Sequence, residues 1–130
     1  RHGRNRTNVW RYPGANRPGS SANKALPFHP TPKPVEMVVD ALCDVTARGD
    51  IVLDPFMGSG TTIIAADKAR RIAYGIELDP RYVDVPVRRW QTHSGKPAIH
   101  AATGPSFDAI AQQPLNDTQP EGGDDDQAAE

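Results

Sequence analysis

With 130 residues the sequence has room for one small domain, and its 37% hydrophobic and 6% aromatic content is low for a chain packed throughout. Its 13 prolines and 11 glycines place a good part of it outside regular elements, its one cysteine excludes an internal disulfide, and no apolar run approaches the roughly 18 residues of a membrane-spanning helix. The formal net charge of -1 conceals an asymmetry: Arg1, Arg4, Arg6, Arg11, Arg17, Lys24 and Lys33 all precede the first acid, Glu36, whereas only acids follow Lys96, among them Asp124, Asp125 and Asp126.

In chain order, residues 1–28 read as a basic arm containing one short strand, Asn8 to Tyr12, closed by Pro13-Gly14. The four prolines between Pro27 and Pro34 hold an extended path, and Pro34 suits the first position of a helix. Val35, Val38, Val39, Leu42 and Val45 recur at helical spacing and predict one apolar face, with Cys43 a small packed thiol and Arg48-Gly49-Asp50 the closing turn. Ile51-Val52-Leu53 predicts a strand covered on both faces. Pro55 to Gly60 is a loop, Thr61 to Arg70 a small-residue helix, and Ile72 to Ile76 a second strand. A third helix opens near Pro80 and carries Tyr82, Val83, Val87 and Trp90 on one side. Pro86 predicts a kink or an early end near Val85, since an interior proline costs roughly 3 kcal/mol. Residues 93–130 read as a disordered acidic tail, with a brief helix near Phe107 to Ala111. The order is a βαβ unit with a leading helix, the start of a Rossmann-like sheet that expects more strands than two.

A glycine loop between a buried strand and a helix N-terminus brings backbone N–H groups around a ligand. A hydrolase-type phosphate loop would need a Gly-Lys-Ser/Thr ending, and this one ends Gly60-Thr61-Thr62. A dinucleotide fingerprint would need glycine where Ile63 stands. Asp54, immediately before the loop, would repel a pyrophosphate and attract a positively charged ligand, such as the ammonium of S-adenosylmethionine; its competing role is to cap the following turn. Glu77, at the tip of the second strand and roughly 20 residues on, matches the acid that binds ribose hydroxyls in this architecture. Asp79 before Pro80 reads as the cap of the third helix. Ile76 and Leu78 suit either an adenine sandwich or core packing.

Asp54-Pro55-Phe56-Met57-Gly58-Ser59-Gly60-Thr61-Thr62, His29-Pro30-Thr31-Pro32-Lys33-Pro34 and Tyr74-Gly75-Ile76-Glu77-Leu78-Asp79 together resemble the site-specific DNA methyltransferases that modify the exocyclic amine of adenine or cytosine. The match runs from about Val9 to Trp90, with three motifs in the family's order. The resemblance implies a partial Rossmann-like, S-adenosylmethionine-dependent methyltransferase fold of class α/β. Asp54, Pro55, Phe56, Gly58, Ser59, Gly60 and Thr61 would hold the methionine part of the cofactor and Glu77 its ribose. Thr31 and Lys33 would lie near the methionine carboxylate. Val9-Trp10 resembles the strand that follows the family's DNA-reading region, with Trp10 a core residue. The motif order is that of the subgroup whose Asp-Pro-Pro-Tyr-type catalytic motif lies upstream. No such motif occurs in this sequence, and Asp79-Pro80-Arg81-Tyr82 reads as a helix start. In the family the target base is flipped out and its amine attacks the activated methyl directly.

The resulting expectation is a basic arm (1–28), an S-adenosylmethionine-binding methyltransferase segment (29–92) and an acidic tail (93–130). It has no catalytic residue and no metal site of its own, and alone it is inactive. Double-stranded DNA is the expected substrate of the full enzyme, in the cytoplasm and away from membranes. The chain, which begins at Arg1, is expected to be cut from something longer, and no signal peptide is visible. The competing reading is a truncated, non-catalytic S-adenosylmethionine-binding module that needs a partner chain.

Overall fold

The structure, a computed structural model, describes residues 7, 9–14, 16–20 and 33–112. Its first helix, α1 (Val35–Val45), starts where the prolines end. Pro34 was expected as its first residue but stands one position before it, because its ψ of 127° is extended rather than helical. Val35 and Leu42 are buried, with Val38 and Val39 packed beside them. Val45 is exposed instead: helical spacing puts a side chain on the apolar stripe, but only a facing element buries it. Thr46 ends the helix, its N–H and its hydroxyl both donating to the Leu42 carbonyl.

Strand β1 (Ile51–Asp54) leads through the glycine loop into α2 (Thr61–Ala69), and β2 (Ile72–Gly75) pairs with β1 in parallel, in the register Ile51 to Ile72 and Asp54 to Gly75. Helix α2 ends on Arg70 in the left-handed region (φ 58°), where the Arg71 N–H closes back on the Ala66 carbonyl at 2.8 Å. The small side chains of α2 let the helices approach closely: Ala65 and Ala66 are fully buried, in one cluster with Val35, Leu42, Ile64, Val52 and Ala73. The core therefore lies between both helices and one face of the sheet.

The other face corrects an expectation. Side chains alternate along a strand, so Ile51, Leu53, Ile72 and Tyr74 point away from Val52 and Ala73. Ile51 and Leu53 are 65% and 63% exposed. The strands are apolar enough to be covered twice but are covered once among the described residues.

Helix α3 (Pro80–Ser94) begins as expected, with Pro80 first and the Asp79 carboxylate accepting from the Arg81 N–H at 3.0 Å. It does not end near Val85 but continues through Pro86 to Gly95. Pro86 is buried, and a Cβ built on Gly60 would fall 2.8 Å from its Cα and nearer still to its Cβ, so the ring is the contact between α3 and the glycine loop. Packing offsets the local cost. The buried side of α3 is accordingly Pro86 and Arg89; Tyr82 and Val83 are exposed.

Val9 to Tyr12 form no strand, because an extended segment becomes one only by pairing, and none of them pairs with β1 or β2. Trp10, expected in the core, is 37% exposed, and its Nε1–H donates to the Thr7 carbonyl. Residues 93–112 are more ordered than expected. His93 and Ser94 finish α3, and a separate unit starting at Ile99 contains an antiparallel bridge, Ile99 to Ser106, and the helix α4 (Phe107–Ala111). The brief helix expected near Phe107 to Ala111 is α4 itself, capped by Ser106, whose hydroxyl accepts from the Ala109 N–H. Residues 113–130 lie outside the described residues. No helix among those described is long and apolar enough to cross a membrane.

Gly60 and Gly49 both have positive φ, 73° and 86°, but nothing lies within 4 Å of a Cβ at Gly49. Gly60→Ala is expected to destabilise the protein by about 1–3 kcal/mol more than Gly49→Ala, because only the former adds a clash to the backbone strain. Urea midpoints check this; equal losses would mean that Pro86 yields.

Candidate functional site

The loop of residues 55–60 is tied to its own chain at nearly every step. Asp54, at the end of β1, accepts from the Phe56 N–H at 3.0 Å through Oδ1 and from the Thr62 hydroxyl at 2.6 Å through Oδ2. The Met57 N–H donates to the Ile76 carbonyl at 2.9 Å, and the Gly60 N–H to the Met57 carbonyl at 2.9 Å. Glu77 reaches back from the far end of β2: Oε2 accepts from the Gly58 N–H at 2.7 Å and Oε1 from the Asp79 N–H at 3.0 Å. The Asp79 and Gly58 amides, in that order, hold the Glu77 carboxyl below the usual glutamate range. From beneath, the Arg89 guanidinium donates to the Ser59 carbonyl. Burial lowers the Arg89 pKa from the ordinary arginine value. Gly60 caps α2 in the left-handed region, and Met57 is buried against Gly75, where an added Cβ would collide with its Cε.

Above the loop is a small hollow of about 120 Å³, and Lys33, Asp54, Phe56, Gly58, Ser59 and Thr61 all line it. Six of the residues singled out from the sequence are thus brought together, with Val38, Met57 and Thr62 beside them. Glu77 lies on a second, larger hollow of about 370 Å³, whose other walls are mainly apolar: Ile63, Ile76, Val83 and Val87. Met57 lines both. Pro55 and Gly60 line neither, Pro55 being exposed and Gly60 buried under Pro86. Leu78, considered for an adenine sandwich, is 95% exposed and faces neither hollow, whereas Ile76 lines the second. Thr31 lies outside the described residues.

Of the two roles weighed for Asp54, the structure shows the capping one. It caps the turn, yet a carboxylate offers about four acceptor positions and two are used. Thr62 and Arg89 were missed. Thr62 stood inside the signature, but an Asp–Thr contact eight residues apart has no pattern until the loop closes. Arginine on an amphipathic helix reads as solvated surface.

A family model described as DNA methylase matches residues 1–88. The Type II methyltransferase M.BglII of Bacillus subtilis is 41% identical over 70 residues, which is 54% of this chain and 19% of that protein. M.ScaI of Streptomyces caespitosus is 30% identical over 92 residues, 71% of this chain and 30% of that protein. The chain thus spans less than a third of the length of either. Among solved structures, a putative DNA modification methylase of Thermus thermophilus, complexed with S-adenosyl-L-methionine, is 42% identical and superposes with a TM-score of 0.46 over 48% of this chain and 26% of that one.

A carboxylate with a depressed folded pKa stabilises the fold above its unfolded value and loses that contribution as pH falls through the folded value. For Glu77 the contribution is complete above the ordinary 4.5 and fades below it. Glu77→Gln is expected to remove this component, so the wild-type advantage measured by urea midpoints shrinks as pH drops from about 6 to about 3. Parallel pH curves for the two proteins would show that the Gly58 and Asp79 contacts contribute nothing.

Proposed function

This chain belongs to the DNA methylase family whose model covers its residues 1–88, and on that premise we propose that it is the S-adenosylmethionine-binding segment of a site-specific DNA methyltransferase acting on the exocyclic amine of adenine or cytosine. The observation that carries the reading is the division of charge around the loop. Lys33 and Asp54, of opposite sign, line one hollow, as the carboxylate and ammonium of a methionyl group require. Glu77 stands at a second hollow with apolar walls, suited to a ribose diol beside an adenine ring. The donor set fits the cofactor part by part, and a nucleotide pyrophosphate would meet Asp54 unfavourably.

When bound, the cofactor supplies an electrophilic methyl on a sulfonium. The chain's own residues bind and orient it. Asp54 takes the ammonium on its free acceptor positions while holding the turn, and Lys33, with Thr31, takes the carboxylate. Phe56 lines the same hollow and is 88% exposed, so its ring is free to pack against the bound cofactor. The loop is already bonded in its working shape, so little ordering is required on binding. Among the described residues no base-holding motif stands out: Asp79-Pro80-Arg81-Tyr82 is the cap and first turn of α3. That chemistry belongs to a catalytic motif outside this sequence, and the chain alone is inactive. DNA is the substrate of the complete enzyme, and the exposed Arg11 and Arg17 of the basic arm are available to its phosphates.

One observation favours a second reading, a non-catalytic module that works with a partner chain. The bare face of Ile51, Leu53, Ile72 and Tyr74 requires cover by polypeptide other than α1 and α2. In either reading the cofactor site is the same.

Calorimetry of the full chain with S-adenosylmethionine is expected to show binding that Asp54→Ala and Glu77→Ala each weaken about tenfold or more, with NAD not binding. Unchanged affinity in both variants would overturn the site. Supplied with a protein carrying the Asp-Pro-Pro-Tyr-type motif, labelled methyl is expected to appear in DNA as an N-methylated adenine or cytosine. Label on cytosine carbon would overturn the amine assignment.

A further inference from the structure

Among the described residues Arg89 is the buried cation, 9% exposed, and its guanidinium donates to the Ser59 carbonyl in the glycine loop. No carboxylate among the described residues forms an ion pair with it. An arginine so placed is a poor choice for stability alone. Its burial costs hydration, and an apolar side chain of similar length is commonly as stable in such a position.

Its place explains it better than its energy does. One turn before it on α3, Pro86 presses on Gly60 so closely that no side chain fits there. Pro86 and Arg89 therefore take hold of two consecutive loop residues, one by shape and one by a charge-assisted hydrogen bond. The opposite side of the loop is held by Asp54 at Phe56 and by Glu77 at Gly58. Neither Pro86 nor Arg89 lines the hollow formed by Ser59 and Thr61, while Pro86 lines the second hollow together with Glu77. A carbonyl anchored on the buried side fixes the plane of the Ser59–Gly60 peptide, and with it the direction of the next N–H.

We propose that Arg89 is a positioning residue for the cofactor: by fixing the Ser59 carbonyl it sets the shape of the glycine loop that receives the methionyl group. This rests on the reading that residues 55–60 hold S-adenosylmethionine.

The test uses the full chain with Arg89→Met, Arg89→Gln and Arg89→Lys. Circular dichroism and thermal midpoints are recorded without ligand, and S-adenosylmethionine affinity by calorimetry. Met and Gln are expected to keep the fold and weaken binding about tenfold, because neither reaches the carbonyl with a charged donor, while Lys restores most of the affinity. Hydrogen exchange of the Gly58–Thr61 amides in the ligand-free protein is expected to quicken in the Met and Gln variants and not in Lys. A Met or Gln variant that folds and binds like wild type overturns the proposal. So does failure of both to fold, which would make Arg89 a structural residue. If instead wild type does not bind, or Asp54→Ala and Glu77→Ala bind normally, the underlying cofactor reading fails.

Discussion

Between β1 and α2 the backbone has six residues in which to turn from strand to helix, and one of them lies against a proline with no room for a side chain. A Cβ at Gly60 would fall 2.8 Å from the Cα of Pro86 and closer still to its Cβ. That close approach places α3 beneath the loop. The proline in the middle of a helix that runs to Ser94 thus supplies a packing surface at the point where the helix lacks an N–H donor. Once α3 is seated, Arg89 is within reach of Ser59, and the loop is gripped from the buried side.

From the other side the loop is organised by acids. Asp54 and Glu77 stand at the carboxyl ends of the two parallel strands, the end at which sheets of this type place their ligands. Each carboxylate bonds to the loop or the following turn, and each keeps acceptor positions to spare. The same two groups therefore shape the loop and provide the negative charge that suits a cationic cofactor. A substitution at either reports on both functions, which is why stability against pH and affinity for the cofactor are separate measurements.

The sheet shows the opposite arrangement. Two parallel strands with helices on one side leave Ile51, Leu53, Ile72 and Tyr74 in solvent, a poor resting state for β-branched and aromatic side chains. On the proposed reading the cofactor site lies within this chain, and the bare face calls for cover by polypeptide other than α1 and α2.

How much of this was legible follows from the range of the forces involved. Helix, strand, loop, helix, strand, helix could be read from periodicity and from glycine, proline and aspartate at the joints, since those preferences act within a few residues. The candidate residues were legible for a related reason: a positively charged group suits a carboxylate at one strand end and a ribose suits a second roughly 20 residues on, and Asp54 and Glu77 stand at those places. Burial was not legible at Val45, Ile51 or Leu53, because an apolar residue announces its preference but not whether anything faces it. Pro86 read as a kink or an early end and became a contact, while the hold of Arg89 on Ser59 had no signal in the sequence. Local chemistry thus determined the elements and the charge of the site. Which side of α3 is buried, and what holds the loop from below, was decided only when residues 30 positions apart were packed together.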